Sequence, residues 1–140
     1  MPAGLFVCID VPDLERGIAF YTQAGLGLHL IRRIGDGFAE IGGAPATLHL
    51  LVQPAGSNVS PRASQQRTYA RHWTPVHLDF VMSDLEAAVA SATAAGATLE
   101  RPIESAAWGR MANLADPFGH GLCLITLGPR GYDALLDDAS

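Results

Sequence analysis

An α+β fold of two tandem βαβββ modules is the architecture this 140-residue sequence predicts. Three observations predict it: an internal repeat, two matched helix starts, and short strand-like runs between turn residues. The apolar run Phe6-Val7-Cys8-Ile9-Asp10-Val11 is followed by Asp13-Leu14-Glu15 and then Ala24-Gly25. His77-Leu78-Asp79-Phe80-Val81-Met82 is followed at the same spacing by Asp84-Leu85-Glu86 and Ala95-Gly96. A repeat of this kind sets the architecture before any single element is assigned.

The elements follow in order. Phe6 to Val11 is the first strand. Asp13 can accept the free amide protons that open a helix, and Glu15 suits its positive first turn. Leu14, Ile18 and Tyr21 share the buried face of that helix, and Gly25 is its left-handed stop. Leu28 to Ile34, Phe38 to Ile41 and Thr47 to Val52 are the next strands, parted by Gly35-Asp36-Gly37 and Gly42-Gly43. In the second half the strand from His77 is followed by a helix, for which Ser83 and Glu86 form a capping-box pattern. Leu85, Val89 and Ala92 face the core, and Gly96 is the stop. Thr98 to Arg101, Arg110 to Leu114 and Leu122 to Leu127 complete the module, with the turn Asp116-Pro117-Phe118-Gly119 before the last strand. Aligning the later strands carries Ile41 onto Ala115, and Leu48-His49-Leu50 onto Leu122-Cys123-Leu124.

Module one therefore occupies about residues 4–53 and module two about 76–128. The stretch 54–75 between them is rich in Gly, Pro, Ser and Gln without an apolar period, and reads as a solvated linker rather than a lid. Tyr69, His72 and Trp73 are the residues in it able to pin it down. In the tail 129–140, Tyr132 to Leu136 is expected to form one or two helical turns, packing Tyr132 and Leu135 on the body.

Composition narrows the function classes. Apolar residues make up 49% of the chain and charged residues 16%, enough for a core and too little charge for disorder. The net charge of −5 comes without a basic block, which makes nucleic acid and anionic membrane poor partners. All nine basic residues are Arg, so lysine Schiff-base chemistry and a P-loop lysine are excluded. Cys8 and Cys123 lie in apolar runs without metal-finger spacing, and no apolar run reaches the roughly 18 residues of a membrane span. A soluble, cytoplasmic chain in a reducing compartment is the expectation.

Strand alternation then separates two faces. Val7, Ile9 and Val11 suit helix packing, as do Leu78, Phe80 and Met82, Leu48 and Leu50, and Leu122 and Leu124. The opposite faces carry Cys8, Asp10, His49, His77, Asp79 and Cys123. An apolar surface with a few convergent polar groups is the usual character of a small-molecule pocket. Trp108 and Arg110, on one strand face, add an aromatic wall and a guanidinium suited to a planar or acidic ligand.

These residues resemble the vicinal oxygen chelate superfamily of glyoxalases, bleomycin-resistance proteins and extradiol dioxygenases. The resemblance rests on Val11-Pro12-Asp13-Leu14-Glu15 with Phe20-Tyr21, on His77 with Ser83-Asp84-Leu85-Glu86, on Ala95-Gly96-Ala97, and above all on Asp116-Pro117-Phe118-Gly119-His120. It implies a single domain over 1–140 whose two modules form a curled mixed sheet, a cup, usually within a homodimer. It also implies four cavity positions where metal-using relatives place ligands, falling here on Phe6, His49, His77 and Cys123. Phe6 cannot bind a metal, and Cys123 stands where the family commonly has glutamate. Two imidazoles and a thiolate, His49, His77 and Cys123, make a sensible zinc set, with Asp79 as a fourth ligand or as the partner that orients His77.

Each polar residue also has a plainer reading. Cys123 and Cys8 can be small buried hydrophobes, the histidines hydrogen-bonded core residues, and His120 a solvent-facing turn residue. Two functions stay open. One is a binding protein that sequesters an aromatic or acidic small molecule in the cavity through Phe6, His49, His77, Asp79, Trp108, Arg110 and Cys123. The other is a metal-dependent lyase, isomerase or dioxygenase with a divalent ion, zinc by its donor set, at His49, His77 and Cys123.

Overall fold

The protein's computed structural model describes residues 3–138. It divides into two units, one ending at Ala70 and the next beginning at Arg71. In the first, β1 (Phe6–Val11) leads to α1 (Leu14–Gln23) and then to β2 (His29–Ile34), β3 (Phe38–Gly42) and β4 (Thr47–Val52). The strands form one mixed sheet in the order β1-β4-β3-β2, with β1 parallel to β4 and the other pairs antiparallel. A parallel first pair follows from the helical crossover, since only adjacent antiparallel strands can be joined by a tight turn.

Asp13 caps α1 as its sequence position predicts, accepting from the Arg16 amide at 2.9 Å. Gly25, at φ 78°, ends the helix. Leu14, Gly17, Phe20 and Tyr21 are its buried residues. Gly17 belongs there for want of a side chain: a Cβ would stand 3.1 Å from both Val11 methyls. The helix can therefore lie close against Val11 and Leu50, each fully buried. Burial of such side chains contributes about 2 kcal/mol each.

The second unit repeats the plan with β5 (Leu78–Val81), α2 (Leu85–Ala94), β6 (Thr98–Leu99), β7 (Glu104–Ala106), β8 (Gly109–Ala115) and β9 (Gly121–Leu127). Its order is β5-β9-β8-β6, with β5 parallel to β9 and β7 also paired to β8. The chain then runs through a 3-10 turn at Gly131–Asp133 into α3 (Ala134–Asp138), so the expected helical tail is present. None of the described helices is long and apolar enough to cross a membrane.

Three expectations are corrected here. The cap of α2 is Asp84, accepting from the Ala87 amide at 3.0 Å, and not Ser83. The strand β7 was not predicted, because Glu104-Ser105-Ala106 is exposed throughout and carries no apolar alternation. Ile41 corresponds to Leu114 rather than Ala115. Ile41 pairs with Leu48 and Leu114 with Leu122, and the connection holds six residues in the first unit (42–47) but seven in the second (115–121). The same register makes Asn113 the counterpart of Glu40.

The connector carries no regular element beyond one bridge, Asn58 to Gln66, yet hydrogen bonds hold it. Arg67 donates to Asp10 on β1 at 2.8 Å, with further bonds to Ser57 and the Asn58 carbonyl. The Tyr69 hydroxyl donates to the Gln53 carbonyl at 2.6 Å. Residues up to Ala70 belong to the first unit and those from Arg71 to the second.

Candidate functional site

In the second unit the parallel pairing of β5 with β9 sets Asp79 opposite Cys123. His77 stands one residue before β5, two positions from Asp79, and strand alternation sends both to one face. The His77 Nδ1 lies 2.9 Å from an Asp79 carboxylate oxygen, which orients the ring and leaves its Nε2 turned elsewhere. Asn113, from β8, donates to the Cys123 Sγ at 3.0 Å. Burial pushes the Cys123 thiol up from its ordinary value, and the Asp79 charge adds to this, while the Asn113 amide works the other way. At neutral pH this is a protonated thiol.

His77, Asn113 and Cys123 border a cavity of about 470 Å³, whose lining also includes Trp73, Arg101, Leu114 and Leu122, while Asp79, the partner of His77, is outside that lining. Arg71 and Glu100 form part of the same wall. The Arg71 guanidinium gives one donor to each Glu100 oxygen, at 2.7 and 2.8 Å, and lies over Gly121, where a Cβ would stand 2.8 Å from it. That pairing holds the Glu100 carboxyl below its ordinary range.

The first unit places different chemistry at the equivalent positions. Its His49, opposite Cys8 in the β1–β4 pair, stacks on Phe6 with ring centroids 4.4 Å apart and meets the edge of Phe38 at 4.9 Å. The His49 Nε2 is buried without a hydrogen-bond partner, 3.8 Å from one Glu40 carboxylate oxygen, while Arg32 engages the other at 2.7 Å. Phe6 itself is 62% exposed, and Cys8 beside it is exposed rather than buried as expected. The reason is positional: both point away from α1, on the strand at the sheet's edge.

Of the sequence-predicted residues, then, the structure brings His77, Asp79 and Cys123 together in one unit and Phe6 with His49 in the other. Arg110 lies on the helix side of β8, where it pairs with Glu86 in the first turn of α2. Trp108 precedes β8 and packs against Tyr132 of the tail, centroids 5.3 Å apart. Neither is among the residues lining the cavity. Sequence reasoning missed Asn113, Arg101 and the cavity role of Trp73. Asn113 was hidden by the one-residue alignment slip, and Trp73 was the signal available, a large aromatic in an otherwise polar connector.

The donor set of the second unit fits a divalent ion. One nitrogen, one oxygen and one sulfur from His77, Asp79 and Cys123 lie within 4.8 Å of one another. Tetrahedral zinc holds donors roughly 3.5 Å apart, within a rotamer adjustment of that spacing. The mixed N/O/S character suits zinc better than magnesium or calcium, which take oxygen.

Comparison with known proteins completes the picture. The sequence profile of a family described as the glyoxalase-like domain matches residues 6–125. Among curated proteins no sequence matches the chain. Among solved structures, a glyoxalase/bleomycin resistance protein/dioxygenase family enzyme from Burkholderia phytofirmans PsJN is similar at TM-score 0.70 and 21% identity, over 90% of this chain and 100% of that one. The bleomycin resistance determinant encoded on transposon Tn5 follows at TM-score 0.58 and 20% identity, over 90% and 98%. A lactoylglutathione lyase from Agrobacterium tumefaciens gives 0.62 and 14%, over 90% and 94%. At such identities the likeness shows the fold, and the fold spans a resistance determinant and a lyase alike. With a strand–helix–strands plan repeated in two units and the family profile matched over residues 6–125, the chain belongs to the glyoxalase-like family of the vicinal oxygen chelate superfamily.

Proposed function

We propose that the chain is a small-molecule binding protein that holds an aromatic or acidic organic ligand in the cavity of its second unit. One observation carries the reading: a cavity of about 470 Å³, within the usual range for organic ligands, combines the apolar Leu114 and Leu122 with inward polar groups and an exposed indole, Trp73. The proposal includes the homodimer that the family resemblance implies and the cytoplasmic setting that two unpaired thiols suit. A thermal-shift screen of organic acids and aromatic compounds tests it, with hits followed by the fluorescence of Trp73 in a Trp108→Phe variant. Hits are expected to perturb Trp73 and to be lost when the cavity is crowded by Thr74→Trp. A screen without hits, or hits indifferent to that substitution, defeats the reading.

A second reading, a metal-dependent lyase or isomerase, is favoured by the His77, Asp79 and Cys123 cluster. A bound divalent ion supplies a Lewis acid that polarises a substrate oxygen. In that role His77 and Cys123 hold the ion, and Asp79 either joins them or keeps the His77 ring in its tautomer. Metal content by mass spectrometry, after reconstitution with zinc, iron, manganese, nickel and cobalt, separates the two. About one ion per chain, lost in His77→Ala, establishes the second reading, and no stoichiometric ion removes it.

A further inference from the structure

We propose that the second unit's cavity selects a planar aromatic monocarboxylate, with Trp73 as the stacking surface and Arg101 as the partner of the acid. The inference rests on the binding reading above. It comes from the unequal state of the charged and aromatic groups along one wall.

The cavity has two guanidinium groups in its lining, and they are not equivalent. Arg71 is committed: both Glu100 oxygens accept from it, as does the His72 carbonyl, and Gly121 lies beneath it. It acts as wall, its charge cancelled by Glu100. Arg101 makes one loose carboxylate contact among the described residues, to Glu104 at 3.5 Å, with both side chains more than half exposed. A forked donor with one weak partner is suited to take a carboxylate on two oxygens.

The aromatic side is equally uneven. Phe6, Phe38, Phe20 and Trp108 each touch another ring within their own unit. Trp73 is 80% exposed and has no ring partner among the described residues, yet it lines the cavity. An indole left in water at the mouth of a pocket offers a face to a flat ligand. Charge sets the valence of that ligand. Arg71 cancels Glu100, so Arg101, with one long contact to Glu104, is the guanidinium left for one anionic charge, while a second negative charge would meet Glu100 in the same wall.

The test uses three probes by isothermal titration calorimetry: naphthalene-1-carboxylate, its neutral carboxamide, and cyclohexanecarboxylate. The aromatic acid is expected to bind at least tenfold tighter than either comparator, and its affinity alone of the two naphthalenes should fall with added salt. Arg101→Gln should erase the preference for acid over amide, and Trp73→Leu the preference for aromatic over alicyclic. Both side chains are exposed, and unchanged melting temperatures would certify the fold. Equal binding of acid and amide, or discrimination that survives Arg101→Gln, overturns the inference and leaves the binding reading standing. If none of the three binds while the screen yields ligands of another class, the same holds; if the screen is also empty, both fall.

Discussion

Cys8 and Cys123 are both unpaired thiols, and their surroundings set them apart. Cys8 is exposed on the edge strand, whereas Cys123 is 6% exposed and burial pushes its thiol up, away from the reactive thiolate. A disulfide reagent at neutral pH is therefore expected to label one thiol per native chain quickly and the second only in denaturant. Cys8→Ser should abolish the fast phase and Cys123→Ser should leave it; two fast thiols in the wild type would contradict the burial argument. The burial of Cys123 was legible, because Leu122 and Leu124 flank it on a strand that packs on both faces. The exposure of Cys8 was not, because an equally apolar run gives no sign that β1 lies at a sheet edge with one face uncovered. His49 illustrates the same limit and His77 does not. Both were legible as residues off the helix-packing faces, and so was the Asp79 partner of His77, two residues along the chain, but that His49 is held between two phenylalanine rings depends on Phe6 and Phe38, brought in from other strands.

Among the elements, the turn between β8 and β9 is held by one buried side chain. Asp116 is buried, and its carboxylate accepts from the Phe118 amide at 2.8 Å and the His120 amide at 2.9 Å. Gly119, at φ 86°, takes the left-handed position that the turn requires. Removing the carboxylate strands two backbone donors, so Asp116→Ala should lower stability by about 2–3 kcal/mol. Asp116→Asn, whose amide oxygen can still accept, should lose less. Chemical denaturation of the two variants measures this, and equal losses would show that the charge or the packing, not the acceptor, is what matters. This turn, the Asp13 start of α1 and both glycine stops were legible because each rests on local backbone geometry and groups a few residues apart, whereas the start of α2 was placed one residue early. The β7 pairing and the one-residue difference between the β3–β4 and β8–β9 connections were not, since long-range strand register leaves no local trace when the strand is short and polar. His120, expected to face solvent, is half-buried and meets the edge of His72 at 5.3 Å.

For the molecule as a whole, the acid limb of the stability profile follows from its arginine–carboxylate pairs. Glu100 is held below its ordinary value because Arg71 donates to it, and Glu86 because Arg110 does. Each is more readily ionised in the folded chain than in the unfolded one, so its contribution is complete above the unfolded value of 4.5 and is lost as the pH falls through the folded value. Melting temperatures taken from about pH 7 down to about pH 3 should therefore decline in acid. The gap between wild type and Glu100→Gln should close as they do, and a gap independent of pH would remove the pair from the account. The magnitude will be modest, because both pairs are partly or largely exposed. The sequence by itself determined the repeated strand–helix–strands plan, the cap of α1, both glycine stops and the family, which rest on local periodicity, capping and an internal repeat. Only the tertiary structure decided that Arg110 serves a helix, that Trp108 serves the tail, that Arg71 is spent on Glu100, and that His77, Asp79 and Cys123 stand within reach of one ion. The physical reason is that a side chain's role is set by which partners the folded chain brings within reach from other elements, and spacing along the chain does not record that.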